Sequence, residues 1–92
     1  MKTLNDILQS IPVISITGIV DREVSCIETD SRKMTENALF VAIPGTKVDG
    51  HSFIDNTIEK GAKTIVCERL PEILKENITY VKVENTAIIL GV

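Results

Sequence analysis

The amino-acid sequence predicts an α/β domain built on a small parallel or mostly parallel sheet flanked by helices. Three observations predict it. A continuous apolar run stands at residues 39–43, the pattern of a strand covered on both faces, and short, largely apolar strand patterns follow at 64–67 and 80–83. Apolar residues at helical spacing separate the first two runs. Proline and glycine punctuate the changes of period, as Pro44-Gly45 after one run and Gly61 before the next. This alternation from Leu39 onward favours parallel strands joined by right-handed crossovers.

In chain order, Leu4, Ile7, Leu8 and Ile11 recur at helical spacing behind Thr3, a suitable N-cap, and Pro12 stops the pattern. Residues 13–20, with Gly18 among them, fit either an irregular strand or a connector. Residues 23–29 read as a strand that delivers the chain to Asp30-Ser31-Arg32, and residues 32–38 are polar and suited to a turn. Residues 39–43 form a central strand. Phe53, Ile54, Thr57 and Ile58 share one side of a helix over 52–60, with Asp49 as its cap and Gly61 just past its end. Residues 64–67 make a strand, 71–75 one or two helical turns, and 80–83 a further strand. Asn85 can cap a helix beginning at Thr86 whose pattern still runs at Val92.

Composition narrows the function. A chain of 92 residues fits one domain with one modest core, and 43% hydrophobic with 25% charged residues is the balance of a folded chain. Thirteen acidic against ten basic residues give a net charge of −3, with no basic stripe to neutralise a polynucleotide backbone. No nucleic-acid partner is expected. Asp6 near the start argues against a secretory signal, and no stretch approaches the roughly 20 apolar residues of a bilayer span, so the expectation is a cytoplasmic protein without membrane insertion. Cys26 and Cys67 stand singly in apolar runs, which predicts reduced, buried thiols.

The chain holds no paired Glu/His metal motif, no G-x-S-x-G elbow and no G-x-x-x-x-G-K-[ST] phosphate loop. His51 is the single histidine, and no serine or cysteine spacing builds a triad on it. Neither catalytic nor metal-ligating residues are expected. Asp30-Ser31-Arg32 supplies a carboxylate, a hydroxyl and a guanidinium directly after a strand. That tripeptide fits a structural turn closed by an Arg–Asp bridge, or a ligand site beyond the carboxyl end of the strand. In the loop from Pro44 to Gly50 the N–H groups of the next helix start could face an anion or receive the Asp49 carboxylate.

At this point the sequence resembles a known family, the ATP-dependent Mur ligases of peptidoglycan synthesis, in their amino-terminal domain. The resemblance is carried by Asp30-Ser31-Arg32, Leu39-Phe40-Val41-Ala42-Ile43-Pro44-Gly45, Asp49-Gly50-His51-Ser52-Phe53-Ile54 and Gly61-Ala62, in matching order and separation. It implies a Mur ligase amino-terminal fold over residues 1–84 that holds the UDP end of a UDP-N-acetylmuramoyl peptide. Residues 85–92 would begin a helix leading to an ATP-binding central domain. Carried over by position, the UDP-binding residues are Thr29, Ser31, Thr46, Lys47 and Val48. Family members usually have a glycine and an acid before the Leu-Phe strand. Here Asn37-Ala38 stands instead, and Asn is the non-glycine residue most tolerant of a left-handed backbone.

The pattern looks most like the third ligase, which adds meso-diaminopimelate or L-lysine to UDP-N-acetylmuramoyl-L-alanyl-D-glutamate. The fourth, D-alanyl-D-alanine-adding ligase is the near alternative, and a stand-alone non-enzymatic α/β interaction domain is a reading from another class. In the resembling enzymes ATP and Mg2+ activate the precursor carboxylate as an acyl phosphate before an amine attacks. Both cofactors are expected outside these residues, so the chain by itself is expected to be inactive, with its partners the UDP-linked substrate and its own further domains.

Overall fold

The computed structural model describes residues 2–45 and 49–91. After β1 (Lys2–Thr3), the Thr3 side chain accepts the Asp6 N–H at 3.3 Å and starts α1 (Leu4–Leu8). This helix is three residues shorter than its apolar spacing predicts. The residue before a proline is driven out of the helical region, so Ile11 cannot extend the helix, and residues 10 and 11 close as tighter turns. Ile11 nevertheless stays buried beside Leu4 and Ile7.

The ambiguous segment resolves into a short strand, β2 (Ser15–Thr17). The strand expected over 23–29 is two pieces. β3 (Glu23–Val24) pairs antiparallel with β1 in a separate two-stranded sheet, whereas β4 (Ile27–Glu28) joins the main sheet. Between them the Ser25 hydroxyl donates to the Glu36 carbonyl at 2.9 Å, and a side-chain bond of that kind competes with regular pairing.

β5 (Leu39–Val41), β6 (Thr64–Cys67) and β7 (Thr79–Lys82) complete a five-stranded sheet of order β2-β7-β6-β5-β4. β4 to β7 are mutually parallel, and β2 pairs antiparallel with β7 at one edge. The sheet is therefore mostly parallel, as the alternation of strand and helix patterns predicts. Leu39, Val41, Val66 and Val81 face α1 and Ile89, while Phe40, Ile65, Cys67 and Tyr80 face the second helix. That two-sided cover explains why β5 is apolar at every position.

The second helical region begins as a 3-10 turn (Gly50–Phe53) and continues as α2 (Ile54–Glu59), with Gly61 beyond its end at φ +119°. Residues 71–75 form no helix. Ile73 is 78% exposed there, so a short helix would gain no apolar burial to offset its nucleation cost. From Thr86 the chain forms a 3-10 helix (Thr86–Gly91) rather than an α-helix, with Asn85 Oδ1 accepting the Ala87 N–H at 3.0 Å. Both cysteines are free; Cys67 is buried and Cys26 half-buried. No helix among the described residues is long and apolar enough to cross a membrane.

Candidate functional site

Parallel strands end together, and beyond the carboxyl ends of β4 and β5 the two following loops part to leave a cleft of about 640 Å³. Thr29, Asp30, Ser31 and Arg32 form one wall; Ile43, Pro44, Gly45, Gly50 and Phe53 form the other. The first wall is polar and the second largely apolar. Thr29 and Ser31 thus both line the cleft, while Thr46, Lys47 and Val48 lie outside the described residues between Gly45 and Asp49.

The polar wall is held by its own side chains. Glu28 Oε1 accepts the N–H groups of Thr29 and Asp30 at 3.0 and 3.2 Å, which ends β4. Asp30 Oδ1 accepts the Arg32 N–H at 2.9 Å and Nε at 3.1 Å, and Oδ2 accepts NH2 at 3.0 Å. The turn is closed by the Arg–Asp bridge, and the same residues line the cleft. The side-chain and backbone hydrogen bonds from Arg32 pull the Asp30 carboxyl down to about 2, so it stays charged in all ordinary conditions. Two of the five guanidinium N–H donors are spent on Asp30, and the side chain is 84% exposed. Among the described residues the hydroxyls of Thr29 and Ser31 make no hydrogen bond.

The apolar wall follows from the way the chain turns back after β5. The Gly50 N–H donates to the Ile43 carbonyl at 2.8 Å, closing a loop over 43–50. A Cβ on Gly50 would lie 2.6 Å from the Ile43 nitrogen, so only glycine permits this approach. The Asp49 carboxylate accepts the His51 N–H at 3.0 Å, so the start of the 3-10 turn is satisfied from within. Phe53, 37% exposed, is left at the cleft instead of in the core with Ile54 and Thr57.

The His51 side chain is 8% exposed and satisfied at both ring nitrogens. Nε2 accepts the N–H groups of Glu68 and Arg69 at 3.0 and 3.2 Å, which places the ring hydrogen on Nδ1, 2.8 Å from Asp49 Oδ1. The Arg69 guanidinium reaches Asp49 Oδ2. The His51 N–H, then Arg69 and the His51 ring, hold the Asp49 carboxyl well below the usual range. Glu68 in turn accepts the Thr86 N–H and hydroxyl, each at 2.9 Å, and these bonds lower its pKa.

Sequence reasoning did not assign Ile43, Pro44 or Phe53 to the site, nor Arg69 to its support. The apolar three carry no polar signature, and Arg69 meets Asp49 only through the pairing of β5 with β6. Among the described residues no group of three or more His, Cys, Asp or Glu side chains gathers to hold a metal, and no phosphate loop is present.

Comparison with known proteins places this geometry. A sequence model described as Mur ligase family, catalytic domain, matches residues 23–92. The UDP-N-acetylmuramoyl-L-alanyl-D-glutamate–2,6-diaminopimelate ligase of Phocaeicola vulgatus is 48% identical over 88 residues, which are 96% of this chain and 18% of that protein. The ligase of the same name from Clostridioides difficile is 36% identical over 83 residues, 90% of this chain and 17% of its own length. The chain thus spans less than a fifth of these relatives. Among solved structures, UDP-N-acetylmuramoylalanyl-D-glutamyl-2,6-diaminopimelate–D-alanyl-D-alanyl ligase from Acinetobacter baumannii superposes with a TM-score of 0.81 at 25% identity, over 97% of this chain and 20% of that one. With a family match over three quarters of its length, a mostly parallel sheet of the same fold and relatives of both ligase types, the chain belongs to the Mur ligase family and carries the fold of that family's amino-terminal domain.

Proposed function

We propose that residues 1–84 hold the uridine diphosphate end of a UDP-N-acetylmuramoyl peptide for a full-length, ATP-dependent amide-forming ligase. Thr29, Ser31, Thr46, Lys47 and Val48 are its binding residues. The observation that carries this reading is the two-sided cleft. The Thr29 and Ser31 hydroxyls and the exposed Arg32 fork suit the polar edges and phosphates of the nucleotide, and the apolar wall suits a flat heterocycle. Residues 85–92 lead toward the ATP-binding domain, and ATP and Mg2+ bind outside this chain. Its own contribution is positioning, since grip on a remote handle orients the distant carboxylate.

Within the family the proposed enzyme is the third ligase, acting on UDP-N-acetylmuramoyl-L-alanyl-D-glutamate. The support is the 48% identity to a relative named for that reaction, against 25% to the D-alanyl-D-alanyl ligase whose fold is shared. The same relatives' names favour diaminopimelate over L-lysine as the added residue. Offering the full-length protein the UDP-linked dipeptide and tripeptide precursors separately decides it. Turnover of the dipeptide precursor is expected, and turnover of the tripeptide precursor alone would move the assignment to the fourth ligase.

The site itself is tested by titrating the chain with UDP and, separately, ADP while following backbone amide shifts. UDP is expected to move residues 29–32 and 43–50, with millimolar affinity where other domains add no contacts. Matching responses to both nucleotides, or shifts elsewhere, would remove the uridine site.

A further inference from the structure

We propose that His51 and Arg69 are positioning residues for the uridine diphosphate cleft: they fix Asp49 and Gly50, where the segment 46–48 rejoins the described chain, to the end of β6. This rests on the uridine reading of the cleft. Gly50 is itself part of the wall, and the Asp49 side chain binds the residue that follows it. A loop closed only by Asp49 and by the bond from Gly50 to Ile43 would be tied to its own strand and nothing else.

The structure adds a tie to the neighbouring strand. His51 Nε2 takes two successive N–H groups, from Glu68 and Arg69, directly after β6, and the Arg69 side chain returns to Asp49 Oδ2. The imidazole is buried and spans both sides, one nitrogen toward Asp49 and the other toward residues 68–69. Neither His51 nor Arg69 lines the cleft, so neither is placed to touch the ligand. Their effect on binding runs through the position of the wall, and a wall out of place by a fraction of an ångström loses the contacts it was placed to make.

Three variants of the 92-residue chain separate this role from a merely structural one. His51→Gln keeps an oxygen acceptor close to the place of Nε2 and so preserves the link to residues 68–69. His51→Asn keeps an N–H toward Asp49 but cannot reach them. Arg69→Met removes the return contact while leaving the packing of β6 intact. Affinity for UDP is read from the amide shifts of folded protein, and urea midpoints are measured in parallel. A structural role would lower the midpoint and leave the affinity of the folded fraction unchanged.

The expected result is that His51→Asn and Arg69→Met weaken UDP binding about fivefold or more, the scale of one lost hydrogen bond, while His51→Gln stays within about twofold of the parent. Parent-like affinity in the Asn and Met variants, or a Gln variant as weak as Asn, would overturn the positioning role and leave the uridine site standing. A parent chain that shows no uridine-selective shift would overturn the site and this inference together.

Discussion

At Gly50 the cleft depends on the absence of one carbon. The contact it would make, 2.6 Å to the Ile43 nitrogen, is with backbone, which cannot rotate aside as a side chain can. Gly50→Ala is expected to cost about 1–3 kcal/mol as overpacking and to weaken UDP binding, both measurable on the same sample by urea titration and amide shifts. Ser31→Ala works differently, because its hydroxyl bonds to nothing among the described residues. Stability should stay within about 0.5 kcal/mol of the parent, whereas UDP affinity should fall by one hydrogen bond, about 0.5–1.5 kcal/mol. Asn37 shows how far a single residue can be read from sequence. It stands where family members usually carry glycine, and its φ of 65° is the left-handed backbone that this exchange implies. Phe53 was not legible in that way, because helical spacing assigns it to the buried side along with Ile54. Only the 3-10 start of the helix, which shifts residue 53 off the α-helical register, leaves it at the cleft.

Among the elements, strands were legible and their limits were not. β5 is recognisable because burial on both faces leaves an unbroken apolar run, and β6 and β7 because their centres are apolar and β-branched or aromatic. The division of residues 23–29 between two sheets is set by the Ser25 bond to Glu36, eleven residues away, which no local pattern records. β6 also carries a measurable consequence of its burial. Cys67 has no exposure, its Sγ lies 3.8 Å from the Val81 carbonyl, and burial pushes its thiol up to about 11 from an ordinary 9. Below pH 9 the thiol is protonated in both folded and unfolded chains, so its contribution to stability is fully present. Between pH 9 and 11 the unfolded chain ionises first, and stability falls by up to ~3 kcal/mol as pH rises through the folded value. The alkaline loss in urea midpoint should therefore be smaller in Cys67→Ala than in the parent, after allowing for the pH-independent cost of the cavity. Equal slopes in the two proteins would show that Cys67 does not ionise on unfolding in this range.

For the molecule as a whole, four parallel strands in sequential order place every carboxyl end on one edge of the sheet. That edge carries the cleft beyond β4 and β5, residues 68–69 beyond β6, and the segment from Thr86 beyond β7, with Glu68 bonded to Thr86. Alternating strand and helix patterns made parallel pairing legible, but strand order was not, because pairing is decided by contacts between segments and not within them. Nor could the sequence alone assign chemistry to the cleft, whose residues gain meaning only as two facing walls. If those walls grip a handle remote from the reacting carboxylate, their contacts are equally strong before and during the reaction. Ser31→Ala in the full-length ligase is then expected to raise KM for the UDP-linked precursor by about 2- to 12-fold while leaving kcat close to the parent, with KM for ATP unmoved. The 92-residue chain assayed alone should turn over no ATP, since the described residues gather no metal-ligating cluster and the sequence holds no phosphate loop. Steady-state kinetics at saturating ATP distinguishes the outcomes. A fall in kcat without a rise in KM would place Ser31 in contact with the transition state and contradict a purely remote grip.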